Sequence, residues 1–207
     1  MKFESNNKNE IFFVDGAEVE LDSRKKEILA SAAAHFIEVF AINNEVDVYI
    51  SKVSVLHKLA GADAKAWHKA PVYKSGNHII CVFVDPASSL KDMVISLAHE
   101  FIHAWQVIRG DLEGNSWKGE NCELYPYRYQ PWEIEAHKWM AKVAQFYFDD
   151  RVPSHNELNE IKKDTDSDFD EVKTAIKDAS YSNKAENIAK AVAKIAVLIG
   201  VGSIIGG

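Results

Sequence analysis

His99, Glu100 and His103 stand in one short stretch, 96–106, in the pattern HExxH. On a helix, residues four apart share a face, so the imidazoles at 99 and 103 can point at one metal ion. Glu100 would be turned about 100° from His99 on such a helix, close enough to reach a water on that metal. Two neutral imidazoles and an oxygen ligand suit zinc, which lowers the pKa of a bound water to about 7. With eight histidines in the chain, such a pattern can arise by chance. Two conditions make it chemical: the motif must lie on a helix with a buried face, and a third ligand must come after it.

The flanking residues predict that helix. Asp85-Pro86 stops a strand, and Ser89 with Asp92 three residues later reads as a capping box. Leu90, Val94, Leu97, Phe101, Trp105 and Ile108 recur at helical spacing, and Gly110 is placed to end the run. The two histidines lie beside this apolar stripe, where a metal site needs them.

The third ligand must come from the residues beyond Gly110. Residues 111–130 are dense in Gly, Asn and aromatics, a connection long enough to be functional or to form a small hairpin. Pro131 then fits the first turn of a helix running to about residue 148. Its apolar stripe is Trp132, Ala136, Trp139, Val143 and Phe146. Glu133, Glu135 and His137 compete for the metal. Glu133 and His137 are four apart on one face, whereas Glu135 is turned about 160° from that pair and is predicted to face solvent or the preceding loop. Cys122 is an outside candidate, with a free half-buried thiol as its plainer reading.

His99-Glu100-x-x-His103 followed by Glu133-x-x-Ala136 resembles the gluzincin class of zinc peptidases. The resemblance implies Glu133 as third ligand, on the helix after the motif. It also implies that His137 takes the place of the polar residue that orients a zinc-bound imidazole. The usual occupant there is Asp or Asn, so His137 departs from the pattern and stays open as a ligand itself. Gln106 and Arg109 stand where the metzincin pattern requires Gly and His. Trp117-Lys118-Gly119 together with Pro131-Trp132-Glu133-Ile134-Glu135-Ala136 is also similar to small HExxH proteins of bacteriophages and bacteria, over roughly residues 90–145. The activity implied by the resemblance is that of a hydrolase in which Glu100 acts as general base on a zinc-bound water. Tyr125, Tyr127, Tyr129 and Arg128 are candidates by position to stabilise the oxyanion.

These elements need a frame. The 207 residues suffice for one good-sized domain with appendages, and 47% apolar with 27% charged content is ordinary for a globular protein. A net charge of −7 opposes binding to a nucleic-acid backbone, so no nucleic-acid partner is expected. Cys81 and Cys122 form no CxxC pair, which favours a reducing compartment. The N-terminus lacks an apolar signal core, and no stretch reaches the roughly 18 apolar residues that would span a bilayer. The expected location is cytoplasmic, or virion-associated for a phage-encoded chain.

Along the chain, residues 1–9 are polar and expected to fray. Residues 10–14 and 17–21 read as a hairpin around Asp15-Gly16. Ser23 is placed to cap a helix over 24–41, with Ile28, Ala32, Phe36, Val39 and Phe40 buried and His35 packing. Residues 46–53 alternate as a strand. Residues 56–68 suggest a short helix or ordered loop, in which His57 and His68 are ordinary. Residues 71–74 and 78–84 read as a hairpin whose second strand feeds the motif helix. In compact zinc peptidases that strand often rims the cleft, and an exposed edge there could take up extended peptide.

Residues 151–166 read as a polar linker. Phe169, Val172, Ile176 and Ala179 mark a further helix, and Asn183 with Glu186 caps a last one. The apolar tail 195–207 could pack on the domain, dock a partner or oligomerise. The expected whole is an α+β, zincin-like domain at 1–150, with a small mixed or antiparallel sheet, the motif helix and a ligand-bearing helix. A helical extension with the apolar tail occupies 151–207. Its expected activity is zinc-dependent peptide hydrolysis on a protein or peptide substrate. The alternative is a structural or binding protein, for example a virion component, that keeps a zinc site without catalysis.

Overall fold

A computed structural model describes residues 2–4, 10–13, 21–42, 46–52, 66–69, 78–84, 88–123, 125 and 127–182. Five strands build the larger sheet: β1 (Lys2–Glu4), β2 (Glu10–Phe13), β3 (Val46–Lys52), β4 (Ala66–Lys69) and β5 (His78–Val84). Their order is β1-β2-β3-β5-β4. β2 with β3 and β3 with β5 are parallel, while β1 with β2 and β4 with β5 are antiparallel. Parallel neighbours cannot be joined by a tight turn and need a crossover. Helix α1 (Ser23–Val39) supplies the one between β2 and β3.

The sheet corrects three expectations. Within the N-terminal stretch expected to fray, Lys2, Phe3 and Glu4 pair with Phe12, Ile11 and Glu10, while residues 5–9 lie outside the described residues. Backbone pairing requires no apolar side chain, so composition could not reveal β1. Residues 66–69 form a strand rather than part of a helix or loop, and they pair antiparallel with β5; the strand expected at residues 71–74 lies outside the described residues. β5 therefore lies between β3 and β4, and the edge strands are β1 and β4. Residues 14–20, 53–65 and 70–77 lie outside the described residues, as does the turn expected at Asp15-Gly16.

Asp22, not Ser23, caps α1, its carboxylate accepting from the Lys25 N–H at 2.8 Å. An aspartate in extended backbone does this as well as a serine, and either choice lies within a residue of the other. The motif helix, α2, runs Leu90–Ile108. Ser89 Oγ accepts from the Asp92 N–H at 3.1 Å and donates to the Asp92 carboxylate at 2.6 Å, closing the predicted box. Gly110 takes φ +78°, a left-handed conformation that lets the Asp111 N–H turn back to the Gln106 carbonyl at 3.0 Å.

Three two-residue strands come next as an antiparallel meander: β6 (Leu112–Glu113), β7 (Ser116–Trp117) and β8 (Glu120–Asn121). Then come α3 (Pro131–Phe148), with Pro131 at its start, and α4 (His155–Ser182). α4 overturns the linker expected at residues 151–166. Ser154 and Glu157 bond each other's polar groups at its entry, and Leu158 and Ile161 are buried. Two apolar residues among many charges were too few to read as a stripe, yet they anchor the helix. Residues 183–207, with the expected last helix and apolar tail, lie outside the described residues.

The main core joins α1, α2, α3 and the first turns of α4. Phe36 meets Phe101 with ring centroids 5.6 Å apart, and Phe40 stacks on Trp105 at 5.2 Å. A second cluster, Trp117, Cys122, Trp132, Ile134, Phe169 and Val172, fastens the meander between α3 and α4. The architecture is α+β. Among the described residues no helix is long and apolar enough to cross a membrane.

Candidate metal centre

α2 and α3 pack against each other and bring the predicted donors together. His99 Nε2 lies 3.0 Å from His103 Nε2. The Glu133 carboxylate lies 3.2 Å from His103 Nε2 through Oε1 and 3.5 Å from His99 Nε2 through Oε2. All three side chains are buried or nearly so. Ligands about 2.0–2.1 Å from a tetrahedral ion stand about 3.3 Å from one another, and the three observed separations bracket that edge. The donors also lack protein partners that would explain them: Glu133 Oε2 and Glu100 Oε2 are buried without a hydrogen bond. Buried carboxylate oxygens are rarely left so, and a cation with its water is one group that would satisfy both. The residues fit a zinc ion.

Glu100 is buried beside this cluster, with Oε1 3.8 Å from His99 Nε2. The electrostatics show how tightly the groups are coupled. Burial pushes Glu100 up to about 8. Burial also lowers His99 to about 4. Burial works against a charge on His103 too, but the hydrogen bond and charge of Glu133 overcome it and hold His103 at about 9. Burial likewise opposes ionisation of Glu133, yet the two imidazoles facing its carboxylate keep it well below the usual carboxylate range.

Of the competing ligands, Glu133 alone faces both imidazoles. His137 stands at the edge, its side chain 37% exposed, with Nε2 3.7 Å from Glu133 Oε2 and its ring 4.8 Å from that of His99. His99, Glu133 and His137 form a second set of donors within 4.8 Å of one another, beside the set His99, Glu100 and His103. Glu135 does not face solvent. It is fully buried on the opposite side of α3, where Arg109 Nη2 donates to both of its oxygens, at 2.8 and 2.6 Å. The angle on the helix was right, but the side it points to is covered by the end of α2. Cys122 is a buried thiol in the second apolar cluster, remote from the ligand role considered for it.

Among the candidate oxyanion donors whose side chains are described, Tyr127 alone is influenced by the site's carboxylates. It lies on the short 3-10 turn Tyr127–Tyr129 and is 61% exposed, yet its hydroxyl is near enough to Glu133 to respond to that carboxylate. Burial of the hydroxyl and the neighbouring carboxylate push its pKa up, so it stays a donor. Tyr125 packs edge-on against Phe169, and Tyr129 packs on the second cluster. The Arg128 side chain lies outside the described residues.

Sequence reasoning missed Gln106 and Arg109 as parts of the site. Gln106 Oε1 lies 2.8 Å from His103 Nδ1, while its Nε2 donates to the Trp132 carbonyl at 2.9 Å and to Glu135 Oε2 at 2.7 Å. Arg109 joins Glu135 to Asp111, donating from Nε to Oδ2 at 2.6 Å, and lies 4.0 Å over the Trp105 ring. The signal was present: Gln106 is three residues after His103 on the same helix, within reach of its ring. Compared with family models, with curated proteins and with solved structures, the chain matches none.

Proposed function

We propose that this chain is a zinc-dependent peptidase, with His99, His103 and Glu133 as metal ligands and Glu100 as the catalytic base. The observation that carries the reading is the convergence of three donors at 3.0–3.5 Å, with Glu133 Oε2 and the neighbouring Glu100 Oε2 buried and without a hydrogen bond among the described residues. Sheet, motif helix and ligand helix succeed one another in the order expected of a zincin-like domain. When bound, zinc supplies a Lewis acid and a water of lowered pKa. Glu100 takes a proton from the attacking water and returns it to the leaving amine, a role for which its burial next to His99 suits it. Tyr127, exposed and with its hydroxyl near Glu133, would donate its single proton to the developing oxyanion when that hydroxyl turns away from the carboxylate. The substrate is a protein or peptide. Two cysteines at unrelated spacing support a reducing setting, cytoplasmic or virion-associated.

The competing reading is a zinc site kept for folding or binding without catalysis. It draws on His137, which stands close enough to Glu133 and His99 to close the site as a fourth protein ligand. Glu100→Gln separates the two. The peptidase reading expects the variant to keep zinc while cleavage of a peptide library falls about 10²–10⁴-fold. Cleavage at the wild-type rate would remove Glu100 from the mechanism. Wild-type protein that holds zinc but cleaves no peptide would favour the binding reading.

A further inference from the structure

We infer that Gln106 is the positioning residue for His103: its amide makes Nδ1 the protonated ring nitrogen and leaves Nε2 as the one free to ligate. The role toward zinc rests on the metal reading above; the hydrogen bond itself does not need the metal.

The argument starts from what each neighbour can do. The Trp132 carbonyl can only accept, and Glu135, paired with Arg109, is an ionised carboxylate that can only accept. Both lie at the same end of the Gln106 amide, at 2.9 and 2.7 Å, so that end must be the NH2 group and both of its protons are spent. The other end is therefore the carbonyl oxygen. It stands 2.8 Å from His103 Nδ1, which must donate to it. A neutral ring with its proton on Nδ1 presents a lone pair on Nε2, the nitrogen that faces His99 and Glu133.

The amide is held from further away. Arg109 fixes Glu135 with two bonds, and Asp111 fixes Arg109, with Lys162 of α4 3.6 Å from the other Asp111 oxygen. Gln106 itself is fully buried, so no water competes for its bonds. The bond to the Trp132 carbonyl also ties α2 to the first turn of α3, one residue before Glu133. One glutamine thus sets the ring of one ligand and the helix start that carries another. Partners of this kind, when removed, typically cost 10–100-fold in metal affinity.

The test uses the full chain labelled with nitrogen-15. In metal-free wild type, long-range proton–nitrogen spectra should show a His103 Nδ1 proton that exchanges slowly with water, because Nδ1–H donates to Gln106 in the neutral and the charged ring alike. A His103 without a protected Nδ1 proton overturns the inference, and no variant is needed to see it. Gln106→Leu should lose that protection and bind zinc about 10–100-fold more weakly in competition with a chelator. A folded Gln106→Leu with wild-type zinc affinity also overturns it. Wild type that shows the protected proton yet takes up no zinc would support the placement of the ring while sinking the metal reading.

Discussion

Glu133 and Glu135 stand two residues apart on one helix, both buried, and meet opposite surroundings. Glu135 is met by Arg109 and Gln106, and its charge and both its oxygens are answered by protein groups. Glu133 is met by two imidazoles that face each other at 3.0 Å, and one of its oxygens has no hydrogen bond. The chain can satisfy a buried carboxylate when it folds to do so, as Glu135 demonstrates. Leaving Glu133 and Glu100 short of partners on the same pair of helices is then a property of that place. His35 Nε2, Arg109 Nη1 and Trp139 Nε1 are also buried without a hydrogen bond. Among the described residues, only at Glu133 and Glu100 do such atoms belong to clustered carboxylates facing two imidazoles, the setting that suits a cation.

Breaking the satisfied side should give the largest loss of stability. Arg109→Met removes the guanidinium from the buried Glu135 carboxylate, and is expected to cost about 3–5 kcal/mol, read as a lower midpoint in urea unfolding of the metal-free protein. A change under about 1 kcal/mol would mean that Glu135 is not the buried ion pair described here.

The unsatisfied side should respond in the other direction. Burial raises Glu100 from 4.5 to about 8. An acid harder to ionise in the folded than in the unfolded chain weakens the fold as pH rises from the unfolded value through the folded one. Glu100→Gln removes that penalty. The metal-free variant should therefore match the wild type near pH 4 and exceed it increasingly up to about pH 8. A variant less stable than the wild type at pH 8 would show that Glu100 serves the fold rather than the chemistry.

Surface pairs define the floor of the comparison. Lys173 pairs with Glu120, and Lys118 with Asp166, between α4 and the meander. Lys173→Ala should shift stability by less than about 1 kcal/mol, because the second apolar cluster beneath carries that contact. A larger loss would transfer the anchoring of the meander from Trp117 and Phe169 to its ion pairs.

How much of this could be read from the chain differs by element, and the differences have physical causes. α2 and α3 were legible nearly to the residue, since Ser89, Gly110 and Pro131 are local signals and both stripes are long. The gathering of His99, Glu100, His103 and Glu133 came with those two helices. β1 and the first half of α4 were not legible. One is held by backbone pairing, and the other by Leu158 and Ile161 on an otherwise charged helix. Glu135 shows the sharper limit. Helical geometry gave its direction but not what lies there, because the Arg109 that meets it comes from the end of another helix.

Zinc content per chain, by elemental mass spectrometry on protein purified without added metal, tests the central claim most directly. The account predicts about one zinc per wild-type chain, lost in Glu133→Ala and in His103→Ala. A value near zero, with no uptake from added zinc, would contradict the metal centre and the peptidase built on it.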